Sequence, residues 1–566
     1  MDTRVRIYVL LDHKEYYGVE KTIEDAKELI RNIPSVTLLN YLSGFGVNLY
    51  LYDNDENTGK IQFELVRSLL DKCETEVQQN WVSEVKRQEE KGHSPMMFWN
   101  YSNLLFYGII FKTFNELQSR DLTGEEAKRV FDTYLIVNNI ANSKIQIEEE
   151  SIKKADEENK IEDVTMPNFI YQKDYTSSID FSNQVTRGIA FFKYLENDPK
   201  YKDLVLEYYK SKNVNGYLRM FKNLMLLFTE INIGKDLEKR NQLANLQEYV
   251  VAKEVDLAYI ETLSINSEIE SYVEDESFGI LRNKFLFKLN KYQFFILNVN
   301  FLLDQFYKAQ IFSFNSFLKS KGIKAEFFSE KGKNFTEGMY LPTVLDTCFP
   351  HLIRFYGDAC VNSKKEELCD AYMRETNKIC LIEFKDVLLN ASVKNGSDKE
   401  KLFAELEKKF LANQANKPKG ITQLLNAIKD IDDNSVSFDS SIPKASLEIY
   451  PIIVYTDATF GIEGVNKYFK EKFAKEIEQL NLKNIIVKEV TFINLNYFEI
   501  HEDYFNQKYL DVYKVLNGYF EHIKEVNYIL TPFEVFSRFY MNTYVPENLG
   551  SASSFQKHIR NIIIAK

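Results

Sequence analysis

The sequence predicts a multidomain α+β/α/β chain: a large, mainly α-helical N-terminal region followed by an α/β core and a helical tail. Three observations predict it. The 566 residues exceed the size at which one hydrophobic core keeps growing. Apolar residues recur at three- and four-residue spacing through most of the chain before Leu318. Beyond that point, short apolar runs alternate with helical stretches.

In the first region, Arg4 to Leu11 reads as a strand, and Thr22 to Arg31 as a helix on the spacing of Ile23, Ala26 and Ile30. Helical spacing continues through Phe63–Val85, Tyr101–Leu117 and Gly124–Val137, giving a mainly helical domain over 1–150. From Glu148 to Asp163, eight acids stand against three lysines, the composition of a solvated linker. A second helical region, 164–318, carries the pattern from Gln184 to Leu263 with breaks at Pro199 and Gly216. It ends in a β-hairpin, where apolar runs from Phe285 to Leu297 flank Asn290-Lys291.

The α/β core is placed at 319–505. Its expected strands are Leu368–Arg374, Lys378–Lys385, Ile449–Tyr455 and Asn484–Ile493, and its helices are Asn334–Phe349, Lys401–Leu411 and Ile421–Ile431. Residues 506–566 return to helical spacing rich in Tyr and Phe.

Composition narrows the class. The chain is 45% hydrophobic and 27% charged with only 21 Gly and 11 Pro, which describes packed cores and not disorder. No apolar run reaches the roughly 18 residues of a spanning helix, and the richest stretch, Phe285 to Phe314, is interrupted by Lys288, Lys291, Asp304 and Lys308. The apolar run at the N-terminus is too short for a signal peptide. Five cysteines with no CxxC pair indicate neither a disulfide framework nor a zinc knuckle. Together these predict a soluble, cytoplasmic protein with no membrane partner. A net charge of −12 excludes a protein that coats nucleic acid nonspecifically. Between Lys319 and Gly420, however, 18 Lys plus Arg stand against 15 Asp plus Glu.

The chemistry centres on Glu383-Phe384-Lys385. An acid-x-Lys triplet means little alone, since Asp25-Ala26-Lys27, Glu84-Val85-Lys86 and Glu126-Ala127-Lys128 also have it in helical surroundings. Glu383 and Lys385 instead end the run Ile379-Cys-Leu-Ile, the pattern of a central strand, where two charges on one face are costly unless paired or coordinating. A loop symmetric about Thr376-Asn377 sets Asp370 directly opposite Glu383. Lys385 shares that face by the two-residue period. A divalent cation between the two acids reverses their repulsion, and all-oxygen ligation suits Mg²⁺ or Mn²⁺. The chemistry this implies is phosphodiester hydrolysis.

With these residues the segment 328–500 resembles the PD-(D/E)xK, or restriction-endonuclease-like, nuclease superfamily. The resemblance implies an α/β core with a mixed sheet. It implies Asp370 as the first acid, Glu383 and Lys385 as the strand motif, and the Phe384 carbonyl as a third metal ligand beside Asp370 and Glu383. It further implies Glu337, in Gly332-Lys-Asn-Phe-Thr-Glu, as an auxiliary metal ligand or an acid of the core helix, and Gln423, in Gly420-Ile-Thr-Gln, as a phosphate or water contact. Glu448 to Asp457 matches the family's later strand, with Asp457 read as a turn or helix cap. Two departures stand out: Cys369 replaces the proline before Asp370, and a long excursion, Asp386 to Lys419, precedes Gln423.

The expectation is a Mg²⁺-dependent DNA endonuclease of restriction, phage-defence or mobile-element type, regulated or targeted by its helical region. That region leaves a protein partner or a homo-oligomer open. RNA as the substrate, or an inactive nucleic-acid-binding protein on the same fold, are the alternatives.

Overall fold

Periodic apolar residues wind most of the chain before Leu318 into helices, and threonines start two of them. Thr22 and Thr123 open helices Ile23–Ile30 and Gly124–Asn142 with reciprocal capping boxes to Asp25 and Glu126. The computed structural model describes residues 7–52, 58–145, 147–176, 179–233, 248–250, 256–273, 275–323, 326–412, 417–443, 446–545 and 548–565. The chain divides into one unit of residues 1–145, 175–317 and 560–566 and another of 146–174 and 318–559.

In the first unit the expected helix Phe63–Val85 is two helices, Thr58–Leu70 and Thr75–Glu90. The turn between them lies against Gly124, where an added Cβ would stand 2.3 Å from the Lys72 carbonyl oxygen, so only glycine admits the close approach. Strand β1 (Ile7–Leu10) pairs in parallel with β2 (His93–Met96); Arg4, the expected start of the first strand, lies outside the described residues. Buried amide side chains tie down the backbone beside this pair. Gln62 takes the amides of Met97 and Phe98, and Asn138 donates to the carbonyls of Leu11 and Met97.

The helical pattern expected from Gln184 to Leu263 resolves into Phe181–Asn197, Lys202–Ser211, Tyr217–Ile233 and Leu257–Thr262, with residues 234–247 and 251–255 outside the described set. It also contains a strand, β3 (Glu248–Val250). The hairpin forms as β4 (Leu286–Lys288) and β5 (Gln293–Ile296), and β3 adds to β5 as a third strand. Asn290 makes up for the weak turn sequence by accepting from the amides of Tyr292 and Gln293.

The second unit contains a mixed six-stranded sheet. Strands β6 (Ile353–Tyr356), β7 (Ala371–Glu375) and β8 (Lys378–Lys385) are antiparallel in sequence order, and β9 (Leu447–Tyr455) runs parallel to β8. The expected strand Asn484–Ile493 is two short strands, β10 (Ile485–Val487) and β11 (Thr491–Asn494), which pair in succession with the far edge of β9. Continuous apolar runs in β8 and β9 are buried on both faces, as a central parallel pair requires. Helices Lys399–Phe410, Ile421–Asp432 and Val465–Gln479 cover one face with a shared apolar core.

The acidic stretch expected to be a linker is mostly helical, Glu149–Glu157 and Glu162–Phe169. Glu162 explains the difference: its buried carboxylate takes Lys467 Nζ at 2.7 and 2.9 Å, so this acid serves the packing and not solvation. Thus a large, mainly helical region precedes a domain with a small mixed sheet. Among the described residues no helix is long and apolar enough to cross a membrane.

Candidate active site

The turn Thr376-Asn377 sets the register of β7 and β8. Thr376 takes a left-handed φ of 54°, and pairs run from Glu375↔Lys378 to Ala371↔Ile382. One further step sets Asp370 opposite Glu383, the juxtaposition expected from the loop symmetry. Pairing stops there, short of the expected strand start at Leu368. The Asp370 side chain takes the Phe384 amide at 2.6 Å, a bond that a continuing ladder would direct at Cys369. Because the amide and carbonyl of one extended residue face the same neighbour, the Phe384 carbonyl also turns to the Asp370 side of β8.

Glu383 is 1% exposed, and among the described residues its Oε1 has no hydrogen-bond partner. Its Oε2 accepts from Lys385 Nζ at 2.8 Å. Gln423, at the start of helix Ile421–Asp432, accepts from Lys385 at 3.4 Å and from the Gly420 amide at 2.8 Å, so one side-chain oxygen caps the helix and reaches the lysine. Gly420 is required there: its φ is +41°, and an added Cβ would lie 2.9 Å from the Phe410 carbonyl oxygen and 3.4 Å from Lys385 Cε. The excursion after β8 therefore returns the chain to the end of the same strand.

Glu337 comes from a π-helix, Lys331–Tyr340, that continues into helix Leu341–Cys348. A π-helix of ten residues replaces the expected ordinary turns, and such windings recur at functional sites. Its placement depends on Asp386, which no motif marks in the sequence. That carboxylate pairs with the buried Lys331 and accepts from Thr336 Oγ1 at 2.9 Å and Thr456 Oγ1 at 2.8 Å, joining the π-helix to the ends of β8 and β9. Its position directly after Lys385, at the end of a central strand, is the one sequence signal that could have found it.

The electrostatics follow from crowding acids in a dry place. Burial raises the Glu383 carboxyl well above its ordinary value, and Asp370 raises it further against the opposing pull of Lys385. Burial also raises Asp370, opposed by Lys385 and the Phe384 amide. Glu337 is pushed up to about 7 by burial and then by Asp370. Burial lowers the Lys385 ammonium, but Glu383, Asp370 and Glu337 together outweigh it and hold the group above its ordinary value. Glu367, which sequence patterning also leaves unmarked, is exposed at the rim; desolvation of its carboxyl, then Asp370 and Asp358, raise it.

All five residues singled out in the sequence therefore fall in one cluster: Asp370, Glu383, Lys385, Glu337 and Gln423. The donor set fits a hard divalent cation, because the open Glu383 oxygen, the Asp370 carboxylate and the Phe384 carbonyl are all oxygen. Among the described residues no group of three or more His, Cys, Asp or Glu side chains is arranged to hold a metal ion. The oxygens of Asp370, Glu383 and Phe384 make a different kind of set, two side chains and a backbone carbonyl. Asp457 caps the turn Ala458–Gly461 through the Thr459 amide, as expected of it. Comparisons with protein-family models, curated proteins and solved structures return no match.

Proposed function

We propose that the chain is a divalent-metal-dependent nuclease that hydrolyses phosphodiester bonds, acting on DNA as an endonuclease, with the helical unit regulating or targeting it. The observation that carries this reading is the Asp370–Glu383 pair, half-buried at Asp370 and fully buried at Glu383, with a Glu383 oxygen that has no hydrogen-bond partner among the described residues and a single compensating lysine. Two ionised carboxylates and one ammonium leave an uncompensated negative charge in a site nearly closed to water, a costly arrangement that a bound cation makes favourable.

Asp370, Glu383 and the Phe384 carbonyl would hold Mg²⁺ or Mn²⁺, which when bound neutralises phosphoryl charge and makes a water more acidic. Lys385 is kept protonated by its neighbours and presents a donor where anionic charge develops. Glu383 Oε2 and Gln423 Oε1 fix the direction of that donor. Glu337 holds a proton at its carboxyl below pH about 7 and releases it above. Restriction, phage defence or mobile-element biology is the setting that the superfamily resemblance implies.

The test is cleavage of supercoiled, linear and single-stranded DNA and of RNA by the purified chain with Mg²⁺ or Mn²⁺. Glu383→Ala and Lys385→Ala should each abolish it. Equal cleavage by wild type and both variants would put the activity elsewhere, and preference for RNA would replace DNA as the substrate.

A further inference from the structure

Two lysines beside the acid pocket remain unspent. Several lysines of the second unit engage an acid: Lys331 pairs with Asp386, Lys399 with Asp163, Lys409 with Glu405 and Lys472 with Glu407. Lys333 and Lys419 are exposed, and among the described residues neither makes an ion pair. Their backbones are nonetheless fixed. The Lys419 amide donates to the Leu411 carbonyl at 2.7 Å, its own carbonyl accepts from Thr422 at 2.9 Å, and the next residue, Gly420, packs against Lys385. Lys333 stands one turn before Glu337 on the π-helix that Asp386 holds in place.

Each lysine also acts on a different edge of the acid cluster, Lys419 on Asp370 and Lys333 on Glu367. Two exposed cations with no ion-pair partner, carried on anchored backbone beside the carboxylates, do not stabilise the fold through pairing. They do suit a polyanion that crosses the pocket with its charges spaced along a chain.

We infer that Lys333 and Lys419 are phosphate-binding residues, which grip the backbone of a polynucleotide on either side of the Asp370–Glu383 pocket. This rests on the nuclease reading and deepens it. A chain with a net charge of −12 repels nucleic acid overall, so local cations must supply the attraction. The rest of Lys319–Gly420 is close to neutral, so attraction there depends on where individual cations stand. Phosphate contacts of this kind position the strand and carry no sequence information. The expected phenotype is therefore weaker binding for every sequence alike.

The experiment uses the full chain carrying Glu383→Gln to prevent cleavage, with labelled duplex DNA in one arm and single-stranded RNA in the other. Affinity is measured from about 50 to about 200 mM salt. Lys333→Ala and Lys419→Ala should each reduce the slope of log affinity against log salt by about 1, and the double variant by about 2. Lys→Arg at either position should keep the slope. Lys524→Ala, which removes an exposed cation already paired with Glu521, should leave it unchanged. If the parent binds and both lysine variants keep its affinity and slope, the inference falls and the nuclease reading stands. If wild type cleaves but the Glu383→Gln chain binds too weakly, the salt dependence of kcat/KM for wild type and the lysine variants reads the same slope. A chain that neither binds nor cleaves any polynucleotide overturns the nuclease reading itself.

Discussion

The Phe384 amide donates to the Asp370 carboxylate across 2.6 Å, so the acid of one strand is fastened to the middle of the Glu383-Phe384-Lys385 motif on the next. A side chain here replaces the backbone acceptor that the ladder would supply. The bond ends the pairing of β7 with β8 and leaves the mouth of the hairpin open. It also keeps Asp370 beside Glu383, whose carboxyl Asp370 raises against the opposing pull of Lys385.

Ion binding should therefore appear as stability. With Mg²⁺ or Mn²⁺ at about 100 times Kd, linkage adds about 2.7 kcal/mol to the folded state. Thermal unfolding of wild type should shift upward accordingly. Glu383→Gln keeps the shape and removes one buried negative charge, so in chelator its Tm should equal or exceed that of wild type and should not respond to the ion. The same upward shift in wild type and variant would place the ion at another site.

Stability without the ion should depend on pH through Glu337. Its folded value of about 7 lies above the ordinary 4.5, so between those values the folded chain holds a proton that the unfolded chain has lost. Stability accordingly falls as pH rises through that window. Asp370 and Glu383, both raised, contribute in the same direction. Urea midpoints in chelator should decline from pH 4.5 to 7, and Glu337→Gln should flatten part of the decline. An unchanged slope in that variant would remove Glu337 from the coupled cluster.

Asp386 should matter to both fold and activity without being a metal ligand. Asp386→Ala removes the carboxylate from a buried ion pair with Lys331 and the acceptor of two threonine hydroxyls, a change expected to cost about 3–5 kcal/mol. Asp386→Asn keeps an acceptor for Thr336 or Thr456 and should cost less. If the π-helix depends on this anchor, the asparagine variant should lose cleavage by a larger factor than its loss of stability explains, and should lose the pH dependence assigned to Glu337. Wild-type cleavage with wild-type pH dependence would show that the π-helix is placed by other contacts.

Much of the sheet is legible in the sequence because local rules act strongly there. The burial of β8 and β9 on both faces follows from uninterrupted apolar runs, and the register across Thr376-Asn377 follows from a two-residue turn, so Asp370 and Glu383 can be paired from spacing alone. The same rules separate the motif from its look-alikes: Glu84-Val85-Lys86 and Glu126-Ala127-Lys128 both lie in helices. Strand β6 is not legible because Ile353–Tyr356 is short and nowhere fully buried, which leaves no apolar pattern to read. Asn484–Ile493 reads as one strand because nothing local marks the break that lets β10 and β11 pair separately with β9.

What the sequence determined by itself is the hairpin, its register and the three groups it carries, since turn symmetry and the period of two are properties of neighbouring residues. Only the tertiary structure decided which distant residues complete the pocket. Gln423 returns after a long excursion because Gly420 can pack against Lys385, and Glu337 arrives on a π-helix anchored by Asp386. It also decided that the acidic stretch after Glu148 is helical and joined by Glu162 to Lys467. A carboxylate's value depends on whether it meets water or a partner, and that is settled by packing between segments far apart in the chain.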